Sequence, residues 1–241
     1  MISDPWQQRT TLMIGTEGLK KLSDSHILIA GLGGVGSFAA EFLCRAGVGE
    51  LSIVDSDKVN ASNRNRQLIA LRSTEGKDKT VVMHDRLMDI NPNLKLNIFN
   101  TYIEKEETIR VTGAFDYDYV IDAIDTLGPK VHFIHECMNR NLKLVSSFGA
   151  GAKLDPSKIM VTDVAESYNC KLGYYLRKKL HKLNIYSGFK VVFSPEEYYG
   201  EMIISDQLNK KSIAGTISYM PAMFGGHCAS VVIRELLGVK E

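Results

Sequence analysis

The chain lacks the features that most quickly assign a protein to a class. It has four cysteines, Cys44, Cys137, Cys170 and Cys228, and no two form a C-x-x-C pair. That spacing argues against a structural zinc site. Scattered thiols fit a reducing compartment, so a cytoplasmic location is expected. No G-x-x-x-x-G-K-[ST] run occurs, which excludes a P-loop enzyme. Charge of one sign is also missing: 29 basic residues face 28 acidic ones, for a net charge of +1. The total charge therefore says nothing about nucleic acid, although the part from residue 151 onward is mildly basic. Met1 to Arg9 has neither a basic n-region nor an apolar h-region, so no signal peptide is expected. Ser212 to Ile233 is uncharged and long enough to span a bilayer. Gly215, Pro221, Gly225, Gly226 and His227 interrupt it, and it reads as a buried loop and core helix. No stable membrane association is expected.

The remaining composition is that of a globular protein, 44% hydrophobic and 24% charged over 241 residues, enough to bury a sizeable core. Short apolar runs at His26 to Ala30, Leu51 to Asp55, Tyr119 to Ala123 and Leu142 to Ser146 predict buried strands. A further strand is expected at Leu94 to Phe99. Helical patterns at Ser37 to Ala46, Lys79 to Ile90 and Lys130 to Arg140 alternate with them. This order predicts an α/β, Rossmann-like, doubly wound and mainly parallel sheet. After Gly151 the pattern changes. Lys158 to Val164 and Lys190 to Ser194 predict strands, with a helix between them carrying Leu172, Leu176, Leu180 and Leu183 on one stripe. Pro195 to Gly215 is poorly patterned and reads as a mobile loop. Residues 222–237 predict a last helix. A soft boundary near 150 divides a Rossmann-like region, 1–150, from a smaller strand/helix extension, 151–241; a single domain is the other division.

The chemistry begins at Gly31-Leu32-Gly33-Gly34-Val35-Gly36, directly after a strand and opening a helix. Gly31 permits a tight turn, Gly33 lets backbone approach a phosphate closely, and Gly36 allows helix and strand to pack closely. The helix N-terminus then offers free N–H groups to an anion. Asp55, at the end of the second strand, stands where ribose hydroxyls are bound. The turn alone fits NAD, FAD or ATP. The residues after Asp55 favour ATP: Asp57, then Ser62-Asn63-Arg64-Asn65-Arg66-Gln67, then Lys79. Guanidinium and ammonium groups suit a triphosphate attacked at its α-phosphorus, where charge develops on the phosphoryl oxygens and on leaving pyrophosphate. Asp122 and Asp125 close a later strand, and a carboxylate there can hold magnesium against phosphate oxygens. An NAD-binding oxidoreductase or a nucleotide-sensing module accounts for the glycine turn but leaves Arg66, Lys79 and Asp125 without a task.

These motifs, with A-G-V-G at 46–49, G-K-D-K at 76–79, I-N-P at 90–92 and D-A-I-D at 122–125, resemble the ubiquitin-activating-enzyme-like (ThiF/HesA-type) adenylating superfamily. The resemblance implies a homodimeric Rossmann-like enzyme in which ATP with Mg2+ adenylates a carboxylate. It implies that Asp55 binds ribose, that Asn63, Arg66 and Lys79 hold the triphosphate with Asp57 and Gln67 beside them, and that Asp125 binds the metal. Arg9 resembles the arginine that reaches across the dimer to the partner's ATP.

The second half, with Ser146 to Ile159, Val161-Thr162-Asp163, Leu176 to Leu180, Val191 to Glu196 and Gly215 to Pro221, is similar to the tRNA threonylcarbamoyladenosine dehydratases. That resemblance implies ATP-driven cyclisation of threonylcarbamoyladenosine in tRNA through an adenylated threonine carboxylate. A tethered nucleophile supplies much of the acceleration by proximity, so no enzyme nucleophile is needed. Lys171, Arg177, Lys178, Lys179 and Lys182 are the candidate tRNA contacts; Tyr174 and Tyr175 could stack a base, with core packing the reading preferred. A sulfur-transfer protein is a candidate partner, and a monovalent cation near the carboxyl edge a candidate ligand. The alternative within the superfamily is adenylation of a small ubiquitin-like sulfur carrier's C-terminus. The chain departs from the family's usual Asp-Pro-Leu before the basic helix, having Cys170-Lys171-Leu172; a reactive thiol at Cys170 is the other role considered there.

Overall fold

The computed structural model describes residues 4–199, the backbone of 202–206 and 211–213, and residues 214–239. Its centre is a seven-stranded sheet in the order β3-β2-β1-β4-β5-β7-β6. The strands are β1 (His26–Ala30), β2 (Glu50–Val54), β3 (Lys95–Phe99), β4 (Tyr119–Asp122), β5 (Leu144–Ser147), β6 (Met160–Asp163) and β7 (Lys190–Phe193). All neighbours run parallel except β6, which pairs antiparallel to β7 at the edge.

Strand periodicity feeds two cores. Ile27 and Ile29 of β1 face one way and Leu28 and Ala30 the other, and all four are fully buried. This explains why β1 reads as an unbroken apolar run. The first core is covered by α1 (Gln8–Ser23), α2 (Gly36–Ala46), α3 (Lys79–Ile90) and α7 (Tyr219–Leu237). The second lies under α4 (Glu106–Thr112), α5 (Leu127–Asn139) and α6 (Lys171–His181). Connections from β1 run through α2 to β2 on one side. The chain then returns to β4, which lies against the other edge of β1. β1 and β4 thus flank a switch point, and the crevice at their carboxyl ends is where such sheets bind ligands.

Residues beyond 150 continue the same sheet. β7 pairs with β5, and α7 lies on α2, where a β-carbon on Gly225 would meet Val35 O at 2.5 Å. The uncharged stretch from Ser212 forms most of α7, with Met220, Phe224, Cys228, Val231 and Val232 buried. Among the described residues no helix is long and apolar enough to cross a membrane.

Three sequence expectations need correction. Pro195 to Gly215 contains two antiparallel strands, β8 (Met202–Asp206) and β9 (Lys211–Ala214), rather than a featureless loop. They form a separate two-stranded sheet, and the polar residues Ser205, Asp206, Lys211 and Ser212 break the apolar run that marks strands of the central sheet. Residues 200–201 and 207–210 of that segment lie outside the described residues. Tyr174 and Tyr175 are half exposed rather than core, because Gly173, Leu176 and Leu180 supply the buried face of α6. The N-terminal segment, for which the sequence pattern predicted no element, forms α1; its Gly15 takes φ 73° and kinks the helix.

The crevice rests on a fully buried ion pair. Lys130 Nζ lies 2.8 Å from Asp122 Oδ2, and both side chains are excluded from solvent. Asp122 also accepts from Ser146 Oγ at 2.7 Å and from Ile124 N at 3.1 Å. Removing one partner would leave a buried charge uncompensated. Lys130→Met should therefore lower unfolding free energy by about 3–5 kcal/mol in urea titrations. Adding Asp122→Asn should recover most of that loss.

Candidate nucleotide site

The carboxyl edge of β1, β2 and β4 gathers most of the residues singled out by the sequence. Gly31 follows β1 at φ 93°, with its N–H on Val54 O at 2.8 Å. A β-carbon there would lie 2.8 Å from Ala123 O, and one on Gly36 would collide with Gly31 O. These two glycines let the turn close. Gly34 is pressed from behind by Pro221 of α7, 2.8 Å from where a β-carbon would stand. Gly33 differs. Its nearest neighbour would be Gln67 Nε2 at 3.8 Å, so the backbone is open on that side. This is the opening a phosphate needs to approach the N-terminus of α2.

Asp55 locks the turn from the β2 side. Its Oδ2 accepts from Leu32 N at 2.7 Å and its Oδ1 from Asp57 N at 2.8 Å. Burial pushes its carboxyl above the ordinary carboxylate range, against the pull of Lys79 and the two backbone N–H donors. Each carboxylate oxygen has a second lone pair, so ribose hydroxyls can still donate to it. Lys79 opens α3 with its side chain almost fully buried. Its Nζ stands 2.8 Å from Asp57 Oδ2 and 3.7 Å from Asp55 Oδ2. An ammonium has three donors, which leaves one for a phosphate oxygen.

The 60s segment supplies the other wall. Asn63 Oδ1 accepts from Asn60 N in a capping box, which leaves its amide N–H2 to turn to a ligand. Arg66 is folded back, with Nη1 on Ser62 O and Asn65 Oδ1, both at 3.0 Å. Gln67 is buried beside Gly33, and its Oε1 has no hydrogen-bond partner. A buried acceptor without a donor is costly; a ligand hydroxyl, amine or bridging water at this place relieves it.

Asp125 lies exposed past the end of β4, with Thr126 Oγ1 on its Oδ1 at 3.0 Å. Among the described residues no three His, Cys, Asp or Glu side chains form a ready-made metal cluster. A lone carboxylate fits Mg2+, which takes one or two protein carboxylates and completes its shell with phosphate oxygens and water. Asp122 is committed to Lys130 and is not a second ligand. Arg9 stands exposed on the first turn of α1, outside this cluster.

Sequence reasoning missed Lys130 as part of the site. Its Nζ also donates to Ile124 O at 3.1 Å, fixing the loop that carries Asp125. The available signal was its place on the apolar face of α5, four residues before Ile134 and three before Phe133. Cys170 is closed off from solvent, and its Sγ accepts from Gly173 N at 3.5 Å, capping α6.

A family model described as the ThiF family matches residues 7–241. The chain belongs to the ThiF family. Among its ThiF relatives, the Bacillus subtilis protein named tRNA threonylcarbamoyladenosine dehydratase is 41% identical over 206 residues, covering 84% of this chain and 78% of that one. The protein of that name from Escherichia coli is 39% identical over 183 residues, covering 75% of this chain and 68% of that one. A crystal structure of the E. coli tRNA N6-threonylcarbamoyladenosine dehydratase in complex with ATP superposes with a TM-score of 0.88. It is 33% identical and covers 99% of this chain and 97% of that one. The ThiF fold and an adenine-nucleotide site therefore agree with the crevice built from Gly31 to Asp125.

Gly33→Ala separates binding from folding in this site. The variant should keep the native melting temperature and lose ATP affinity by at least ~tenfold in calorimetric titration, because its β-carbon fills the phosphate approach. Gly36→Ala should show no cooperative unfolding transition. Asp55→Ala should lose ATP binding and also some stability, since it releases Leu32 N.

Proposed function

We infer that this chain is an ATP-dependent tRNA-modifying enzyme that cyclises threonylcarbamoyladenosine by adenylating its threonine carboxylate. The observation that carries this reading is the nucleotide crevice in a chain so similar, over most of its length, to proteins bearing that activity in their names. The residues present suit the chemistry. A carboxylate is a poor electrophile until one oxygen becomes a good leaving group, and adenylation supplies that. Asp55 orients the ribose, and the open backbone at Gly33 admits the phosphates. Arg66 and Lys79 meet the charge that develops on α-phosphoryl oxygens and pyrophosphate. Asp125 would hold Mg2+, which screens the triphosphate. Once the mixed anhydride forms, the neighbouring carbamoyl group closes the ring, and AMP leaves.

The active form we propose is a homodimer. Arg9 shares α1 with Leu12 and Met13, which are 82% and 88% exposed. A solvated leucine and methionine beside an arginine suit a protein contact, and that contact would carry Arg9 towards a partner's nucleotide. All four cysteines are buried, so the proposal gives no thiol of this chain a part in sulfur transfer.

Incubation with ATP, Mg2+ and tRNA bearing the modified adenosine should release AMP and yield a nucleoside lighter by one water, read by mass spectrometry. Arg66→Ala should slow this by about a hundredfold or more. Unchanged tRNA, with pyrophosphate exchange stimulated by a small carrier protein instead, would sink the proposal.

A further inference from the structure

A second cavity, of about 580 Å³, opens at the N-terminus of α6, lined by Tyr168, Lys171, Tyr174, Tyr175, Arg177 and Tyr198 among others. Its size suits a nucleoside-scale ligand. The four tyrosines are each between 41% and 55% exposed, which leaves ring faces available to a ligand. On α6 the exposed residues Lys171, Tyr174, Tyr175 and Lys178, followed by the capping Lys182, keep helical spacing along one stripe. Tyrosines and lysines therefore alternate on a solvated face rather than serving the core.

The rings and cations are held in place. Tyr174 and Tyr175 meet edge to face at 5.3 Å. Tyr198 Oη accepts from Lys171 N at 2.9 Å, and its ring lies 4.6 Å from Lys153 Nζ and 6.0 Å from Lys171 Nζ. Lys153 is 2% exposed and donates to Glu196 O. Arg177 donates to Ser167 Oγ, which fixes its guanidinium at the wall with further donors to spare. These contacts reduce the side-chain freedom lost on binding.

The cavity shares the sheet edge of the nucleotide crevice. Residues 148–155 leave the carboxyl end of β5, and 194–199 leave that of β7, both parallel to β4. Hydrogen bonds link the two places: Asn65 Nδ2 to Thr216 O at 2.9 Å, Ala152 N to Gly215 O at 2.7 Å, and Tyr199 N to Ala152 O at 3.0 Å. A polymer bound across this edge can present one residue to the ATP side and a neighbour to the tyrosines.

Exposed aromatic faces beside fixed cations match a single-stranded nucleotide, whose base stacks and whose phosphate pairs. We propose that this cavity seats one unstacked nucleotide of the tRNA substrate, its base against Tyr174 and Tyr175 and its phosphate between Lys171 and Arg177. The assignment rests on the proposed tRNA-modifying function and adds the place where the RNA is gripped.

The test uses the full chain and an anticodon stem–loop bearing threonylcarbamoyladenosine, with binding read by fluorescence anisotropy. The double variant Tyr174→Ala/Tyr175→Ala should bind the RNA at least ~tenfold more weakly, with native melting temperature and ATP affinity. Tyr174→Phe/Tyr175→Phe, which keeps the rings, should stay within about twofold of wild type. Should the alanine pair fail to fold, Lys171→Gln gives an independent reading: the slope of log affinity against log salt should fall by about one. Folded alanine variants with wild-type RNA affinity, or an unchanged salt slope for Lys171→Gln, would overturn the pocket while wild-type cyclisation left the enzyme reading intact. A wild-type protein that neither binds nor cyclises the RNA would overturn both.

Discussion

The geometry of the carboxyl edge depends on one ammonium kept away from water. Lys130 holds the end of β4 through Asp122 and the following loop through Ile124 O. Between those anchors lies Ala123, whose carbonyl stands against the place a Gly31 side chain would occupy. The glycine turn is therefore shaped from two sides: by Asp55 reaching back from β2, and by the Lys130-braced end of β4. A desolvated ion pair is a poor source of net stability but a good source of a single geometry when its remaining valences are filled, as Ser146 and Ile124 N fill those of Asp122.

The parts of the fold legible in the sequence are those that local patterns encode. β1, β2 and β4 are buried on both faces, so they appear as apolar runs without any need to know their neighbours. The turn at Gly31 to Gly36 was legible because backbone that approaches backbone this closely excludes a β-carbon. Arg66, Lys79 and Asp125 could be selected because their charge had no purpose in a simpler nucleotide site. Lys130 and Lys153 were opaque for the opposite reason. A lysine reads as a solvated residue, and nothing local reveals that an aspartate or a carbonyl oxygen distant in sequence will take it out of water. Tyr174 and Tyr175 were ambiguous because an aromatic beside leucines suits core and surface alike. The strands β8 and β9 were lost because they form a separate two-stranded sheet, and polar residues such as Ser205, Asp206, Lys211 and Ser212 break their apolar pattern.

The last third of the chain shapes the site without occupying the strand ends that define it. Pro221 and Gly225 of α7 press on the turn and on α2, Thr216 holds Asn65, and the 150s loop leads from the crevice to the tyrosine cavity. A Rossmann-like crevice is generic to nucleotide binding. The segments after β5 distinguish this surface from others built on the same sheet, and they carry the aromatic and basic residues that line the second cavity.

The buried cysteines have a consequence of another kind. Burial pushes the Cys44 and Cys228 thiols up to about 12 and the Cys137 thiol well above its usual value. The reactive species is the thiolate, so in the closed protein these three sulfurs are nearly inert at neutral pH. They acquire ordinary reactivity only when the surrounding helices part. Cys44 lies on α2, Cys137 on α5 and Cys228 on α7, one or more on each side of the sheet. The molecule thus carries a set of internal clocks, each recording how often its own layer opens to solvent.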